Sequence, residues 1–131
     1  MQSAAVRNAG SKRALANTIG ERDGVIIQKA NRADFTDEAW REVQSLQHNA
    51  NGETISSAAS GRKIHKGFKA TGIGKEYTIP NAGRADFYDK MTNTLYELKP
   101  NNARSIVGGI KQLHRYNNAI GRNSRPILIL Y

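Results

Sequence analysis

The chain has 131 residues, with 20 Lys and Arg against 11 Asp and Glu for a formal net charge of +9, and no cysteine. That length suits one domain around a single core, and no apolar run approaches the roughly 18 residues needed to span a bilayer, so a soluble chain without membrane insertion is expected. The missing cysteines exclude disulfide frameworks, Cys-ligated zinc and thiol chemistry, leaving three histidines and the carboxylates as candidate metal ligands.

The charge is unevenly spread. Residues 1–53 hold seven basic and seven acidic side chains, whereas residues 54–131 hold thirteen basic and four acidic ones. The whole excess lies in the second part and favours a polyanionic partner, nucleic acid or an anionic membrane. Its four acids, Glu76, Asp86, Asp89 and Glu97, are gathered in the middle of the basic stretch. An uneven but inert surface is the plain alternative.

In chain order, Met1–Gly10 is polar and small, lacks the basic-then-apolar layout of a secretory signal, and is expected to be loosely held. Ser11–Ile19 is read as a short helix, Glu21–Gly24 as a turn and Val25–Gln28 as a short apolar strand. Thr36 or Asp37 can cap a helix carrying Ala39, Trp40, Val43 and Leu46 at helical spacing, with a stop at Asn49-Ala50-Asn51-Gly52. A second helix is predicted from Thr54 to Lys69 on the stripe Ile55, Ala58, Ala59, Ile64 and Phe68. Strands are predicted next at Glu76–Ile79, Arg84–Asp89 and Thr94–Lys99, the last two joined by a Lys90–Asn93 turn. Asn101 or Asn102 can cap a helix from Ala103 to about Ala119 that Gly121 stops, with Ile106, Ile110, Leu113 and Ile120 facing inward. Pro126–Tyr131 is the continuous apolar run of a strand buried on both faces. These elements predict an α/β fold of order αβββαβ, a central mixed sheet flanked by helices. One domain is expected over 1–131, with 1–10 flexible, 11–53 a helical N-terminal part and 54–131 the catalytic core.

A hairpin centred on Met91 and Thr92 sets Asp86 opposite Glu97, and alternation puts Lys99 on the same face while Phe87, Tyr96 and Leu98 point to the other. Two carboxylates that converge repel unless a positive group lies between them, and a divalent cation held by oxygens is a common solution. Lys99 beside such a centre can orient or deprotonate water, or stabilise charge on a phosphorane. A cross-strand Glu–Lys pair beside a solvated Asp is the plain alternative for the same residues.

Arg84-Ala85-Asp86-Phe87-Tyr88-Asp89 and then Leu95-Tyr96-Glu97-Leu98-Lys99-Pro100 resemble the active-site strands of the PD-(D/E)XK nuclease superfamily, the restriction-endonuclease-like fold. Asp86, Glu97 and Lys99 match its two acids and its lysine, and Ala85 stands where the family name has proline. Gly61-Arg62-Lys63-Ile64-His65 resembles the G-x-x-x-H helix of the RecB-type branch, and Gln112-Leu113-His114-Arg115-Tyr116 its Q-x-x-x-Y helix. The resemblance implies catalytic roles for Asp86, Glu97, Lys99, Gln112 and Tyr116. It also implies a metal site of His65, Asp86, Glu97 and the Leu98 backbone carbonyl, taking Mg²⁺ or Mn²⁺, with the imidazole favouring Mn²⁺. Lys63, Lys66, Lys69, Arg104, Lys111 and Arg115 would carry the phosphates.

Tyr96-Glu97-Leu98-Lys99-Pro100-Asn101-Asn102 and then Gly108-Gly109-Ile110-Lys111-Gln112-Leu113-His114-Arg115-Tyr116 resemble C-terminal nuclease toxin domains of bacterial polymorphic toxins. That likeness implies a metal-dependent DNA endonuclease, delivered as an effector into the target-cell cytoplasm and countered by an acidic immunity protein, with no small-molecule cofactor. An RNase acting on tRNA, a DNA repair or recombination nuclease, and a catalytically inactive nucleic-acid-binding module are the alternatives. His48 and His114 are read as bystanders, and Trp40 as core.

Overall fold

The apolar run near the end of the sequence becomes the strand around which the molecule is built. The structure, a computed structural model, describes residues 17–69, 74–79, 83–121 and 123–131, with backbone alone at 74–79, 84 and 85. Its elements are β1 (Thr18–Arg22), β2 (Val25–Lys29), α1 (Asp37–Ser45), β3 (Gln47–His48), β4 (Thr54–Ile55), α2 (Ala58–Lys66), β5 (Gly74–Ile79), β6 (Gly83–Asp89), β7 (Thr94–Lys99), α3 (Ala103–Ile120) and β8 (Arg125–Leu130). Six strands form one sheet in the order β1-β2-β8-β7-β6-β5. Strand β8 runs parallel to both its neighbours, β2 and β7, while the remaining pairs are antiparallel.

A strand with a partner on each edge and helices over both faces has no solvated side, which is why β8 is apolar without alternation. Ile127 and Ile129 join Phe87, Tyr96 and Leu98 in a core with Phe35, Ala39, Ile64 and Phe68. Leu128 and Leu130 face the other way, onto Leu95, Tyr88 and the inward stripe of α3, Ile110, Leu113 and Tyr116. Helix α3 is capped by the Asn102 side chain, which accepts from the Ser105 N–H at 2.8 Å, and ends at Gly121 in the left-handed conformation. The αβββαβ core expected from sequence is therefore present as α2-β5-β6-β7-α3-β8.

The first part of the chain differs from its expected helical character. Thr18 and Ile19, read as the end of a helix, belong to β1, which folds back through Asp23-Gly24 onto β2 and lengthens the main sheet. Met1–Gly10 and residues 11–16 of the expected first helix lie outside the described residues. Helix α1 stops at Ser45 because Leu46 turns inward to the core, and Asn49–Gly52 is a hairpin turn between β3 and β4. The Asn49 side-chain oxygen accepts the N–H groups of Asn51 and Glu53 there. Helix α2 begins four residues later than expected, behind the N-cap Ser57. Thr54 is drawn into a strand instead, its hydroxyl donating to the Tyr131 carbonyl at 3.0 Å and its N–H to the Asn101 carbonyl at 2.9 Å. Ile55 is consequently exposed. Among the described residues no helix is long and apolar enough to cross a membrane.

Two glycines in the middle of α3 behave differently. A Cβ at Gly109 would stand 2.7 Å from Cδ1 of the fully buried Leu128 and 3.3 Å from Cγ of Lys99, so the helix lies close against β7 and β8 only because that position is bare. A Cβ at Gly108 would meet nothing within 4 Å. Gly108→Ala should therefore stabilise the protein by about 0.5–1 kcal/mol through helix propensity. Gly109→Ala should destabilise it by about 1–2 kcal/mol through overpacking. Paired thermal melts check both signs.

Candidate active site

The β6–β7 hairpin turns at Lys90–Asn93 and pairs Asp89 with Thr94, Tyr88 with Leu95 and Phe87 with Tyr96, the register that sets Asp86 opposite Glu97. Backbone pairing does not continue to that step. Instead the Asp86 N–H donates to Glu97 Oε1 at 3.2 Å and the Leu98 N–H donates to Asp86 Oδ2 at 2.9 Å. The two strands part here, and the carboxyls occupy the gap, taking the N–H groups that ladder carbonyls would otherwise have accepted.

Helix α2 reaches this gap from one face of the sheet. His65 Nε2 lies 3.1 Å from Asp86 Oδ2, and His65 Nδ1 donates to the Gly61 carbonyl, one turn earlier, at 2.9 Å. From the other face, Lys99 runs along Gly109 of α3 and places Nζ 4.0 Å from Glu97 Oε2. Glu97 is 3% exposed, so an acid is set at the floor of the site with the lysine and histidine nearer the surface.

This packing sets the ionisation of the four groups. Burial, and then the charge of Asp86, push the Glu97 carboxyl up to about 8, and Lys99 only partly opposes them. Burial also works against ionised Asp86, but the hydrogen bond and charge of His65, the Leu98 N–H and a hydrogen bond with Glu97 outweigh it and hold Asp86 below its ordinary value. For His65, burial disfavours the imidazolium. The Asp86 hydrogen bond and charge, the Gly61 carbonyl and the charge of Glu97 overcome it and raise the imidazole pKa. Burial and the charge of Asp86 thus favour a proton on Glu97 over a second negative charge at the site.

His65, Asp86 and Glu97 are the described side chains here whose donor atoms could serve a divalent cation. Nδ1–H donation to a backbone carbonyl fixes the tautomer that leaves Nε2 as the ligating nitrogen. Two carboxyls this close favour positive groups beside them, as Asp86 has in His65 and Glu97 in Lys99. Among the described residues no three His, Asp or Glu groups are already drawn around one point. Asp86 lies between His65 and Glu97 and is shared by both.

The remaining residues singled out in the sequence surround this centre. Tyr116, 4% exposed, packs its ring against Gly83 at the start of β6, and burial, then the Glu97 charge, raise its phenol. Gln112 lies one turn earlier, its Oε1 buried without a hydrogen-bond partner among the described residues. Arg115 lies over the Tyr116 ring at 5.2 Å. Leu98 meets the carboxylate through its N–H, beside the carbonyl expected as a ligand. Lys66 and Lys69 at the end of α2, and Arg104, Lys111 and Arg115 along α3, are exposed. Lys63 is exposed too, 3.9 Å from Glu42, whose other oxygen accepts from Ser60. Glu42 therefore ties α1 to α2 and stays out of the site. Trp40 stacks on Phe35 in the core, and His48 and His114 are exposed and apart from the carboxyls. The Glu76 side chain lies outside the described residues. Sequence reasoning missed Gly83 and Tyr131, whose contacts with the site are long-range and leave no local signature.

The mixed sheet, its parted strands and the Asp86, Glu97, Lys99 set define a restriction-endonuclease-like domain. The profile of the family described as restriction endonuclease fold toxin 9 matches residues 52–126, more than half of the chain. The chain belongs to that family, and a nuclease toxin is the activity the family name carries. No curated protein and no solved structure is similar enough to count as a match.

The raised Glu97 pKa has a consequence for stability. Glu97 holds its proton more tightly folded than unfolded, so its contribution is complete below its ordinary 4.5 and is lost as pH rises toward 8. Raised His65 acts in the same direction above its ordinary 6.5, whereas lowered Asp86 stabilises the fold above its ordinary 3.8 and is already fully ionised there. Without added cations the protein should lose roughly 1–3 kcal/mol between pH 5.5 and pH 8.5. Glu97→Gln should flatten most of that slope in calorimetric melts; parallel profiles for the two proteins would contradict the assignment.

Proposed function

We propose that the protein is a divalent-metal-dependent endonuclease that hydrolyses DNA phosphodiester bonds as an antagonistic bacterial effector. The observation that carries this reading is the gap between β6 and β7, where Asp86 and a deeply buried Glu97 meet His65 and Lys99. His65 Nε2, Asp86, Glu97 and the Leu98 carbonyl would hold Mg²⁺ or Mn²⁺. Such an ion supplies Lewis-acid polarisation of a phosphoryl oxygen and a water more acidic than bulk water.

The chain's own residues do the rest. Lys99, pressed against Gly109, directs its ammonium to the carboxyl pair, where it can donate to a phosphoryl oxygen as negative charge builds. Gln112 offers a buried polar atom that no described group satisfies, suited to fixing the substrate or a water beside the site. Cations on α2 and α3, which cover opposite faces of the sheet, grip phosphates on either side: Lys63, Lys66 and Lys69 on one, Arg104, Lys111 and Arg115 on the other. DNA is chosen over RNA on the resemblance to restriction-endonuclease-like enzymes. The +9 charge suits an acidic immunity protein that covers the same cations, and the toxin reading carries with it delivery into a target-cell cytoplasm.

Supercoiled plasmid, linear duplex and total tRNA, each incubated with Mg²⁺, Mn²⁺ or EDTA, test it. Cleavage of both DNA substrates should require a cation and fall by about 100-fold or more in Glu97→Gln and Lys99→Ala. His65→Ala should need more cation for half-maximal rate. Cleavage in EDTA, or undiminished activity in both the Glu97 and Lys99 variants, would sink the mechanism. Cleavage of tRNA alone would replace the substrate.

A further inference from the structure

His65 and Lys99 come from different layers, α2 and the end of β7, and one residue outside the recognised motifs touches the supports of both. The Tyr131 N–H donates to the Lys99 carbonyl at 3.0 Å, which prolongs the pairing of β8 with β7 by one residue. Its carbonyl accepts from Thr54 Oγ1 at 3.0 Å, and its ring packs against the core under α1 and α2. Its hydroxyl lies 3.5 Å from Ser56 Oγ and 3.7 Å from where a Cβ on Gly61 would stand. Gly61 is the residue whose carbonyl accepts His65 Nδ1–H. Burial raises the Tyr131 phenol, Ser56 opposes the rise, and the Asp86 charge adds to it, so this ring stands within the field of the site.

Helix α2 needs such a support. It spans nine residues and buries only Ile64, so few contacts of its own fix its position on the sheet. A misplacement of about 1 Å at a reacting centre costs on the order of 100-fold in rate.

We propose that Tyr131 is a positioning residue of the active site: seated on Gly61 and anchored through its N–H to Lys99, it sets α2 against β7 so that His65 presents Nε2 to the carboxyls. It acts through His65 and touches no substrate. The proposal rests on the nuclease reading for its kinetic test alone.

The first test needs no activity. In cation-free protein labelled with ¹⁵N-histidine, the His65 Nδ1–H held by Gly61 should give a slowly exchanging downfield proton signal. Tyr131→Leu, which is too short to cover Gly61, should lose it, and Tyr131→Phe, which keeps the ring but lacks the hydroxyl over Gly61, should give a weaker, faster-exchanging signal. Should Tyr131→Leu fail to fold, Tyr131→Met takes its place. In cleavage assays Tyr131→Leu should be about 10–100-fold slower, the usual effect of removing a group that orients a metal ligand, with Tyr131→Phe between it and wild type. Combined with His65→Ala, Tyr131→Leu should cause no additional loss, because the residue through which it acts is gone. An intact signal in the Leu variant, or losses that multiply in the double variant, would overturn the proposal. Wild-type protein inactive on every substrate would overturn the nuclease reading, and the signal would then decide the role of Tyr131 by itself.

Discussion

Everything at the site depends on the point where β6 and β7 stop pairing. A continuous antiparallel ladder would satisfy the Asp86 and Leu98 N–H groups with backbone carbonyls and leave no space between the strands. Here those two donors are given to carboxyl oxygens, Glu97 Oε1 and Asp86 Oδ2. The acids are therefore part of the backbone's own hydrogen-bond accounting, and they cannot swing away without leaving a buried N–H unsatisfied. That constraint makes the pair rigid before any ligand arrives, and rigidity is what a site built to stabilise developing charge requires.

The layers above and below the gap are fitted to it by what they lack. Gly109 is bare where α3 meets Lys99 and Leu128, so the lysine can lie flat between helix and sheet with its ammonium directed at Glu97. Gly61 is bare under the Tyr131 hydroxyl and offers its carbonyl to His65. Gly67 is bare where α2 meets Thr36 and Ala39 at the start of α1. At Gly109 and Gly67 the backbone comes closer than a side chain would permit, and the helices so seated converge His65 and Lys99 on the acids from opposite faces of the sheet.

Much of this was legible in the sequence because its signals are local. The Lys90–Asn93 turn fixes the hairpin register, the Asn102 cap and Gly121 stop bound α3, and the unalternating run from Pro126 identifies a strand buried on both sides. The same reasoning fails where structure is decided at a distance. Strand β1 is wholly exposed, and its five residues show no alternation for a pattern to detect. Thr54 leaves the expected helix because Tyr131 and Asn101, remote in sequence, offer it hydrogen bonds. Tyr131 itself reads only as the end of an apolar strand. Its place beside Gly61 and Lys99 arises from the parallel crossover, which no short window of sequence contains.

The charge layout takes on a narrower meaning beside these distances. Thirteen of the basic side chains lie in residues 54–131, yet Glu97 still holds its proton to about pH 8. Exposed lysines and arginines are screened over about 8–10 Å at ordinary ionic strength, whereas the Asp86 charge reaches Glu97 through a buried, poorly screened contact. Even Lys99, at 4.0 Å from Glu97, does not overcome it. The surface cations can thus concentrate a polyanion around the site without neutralising its floor. Neutralisation requires a positive group at contact distance from both acids, and in the proposed nuclease reading a divalent cation would be that group.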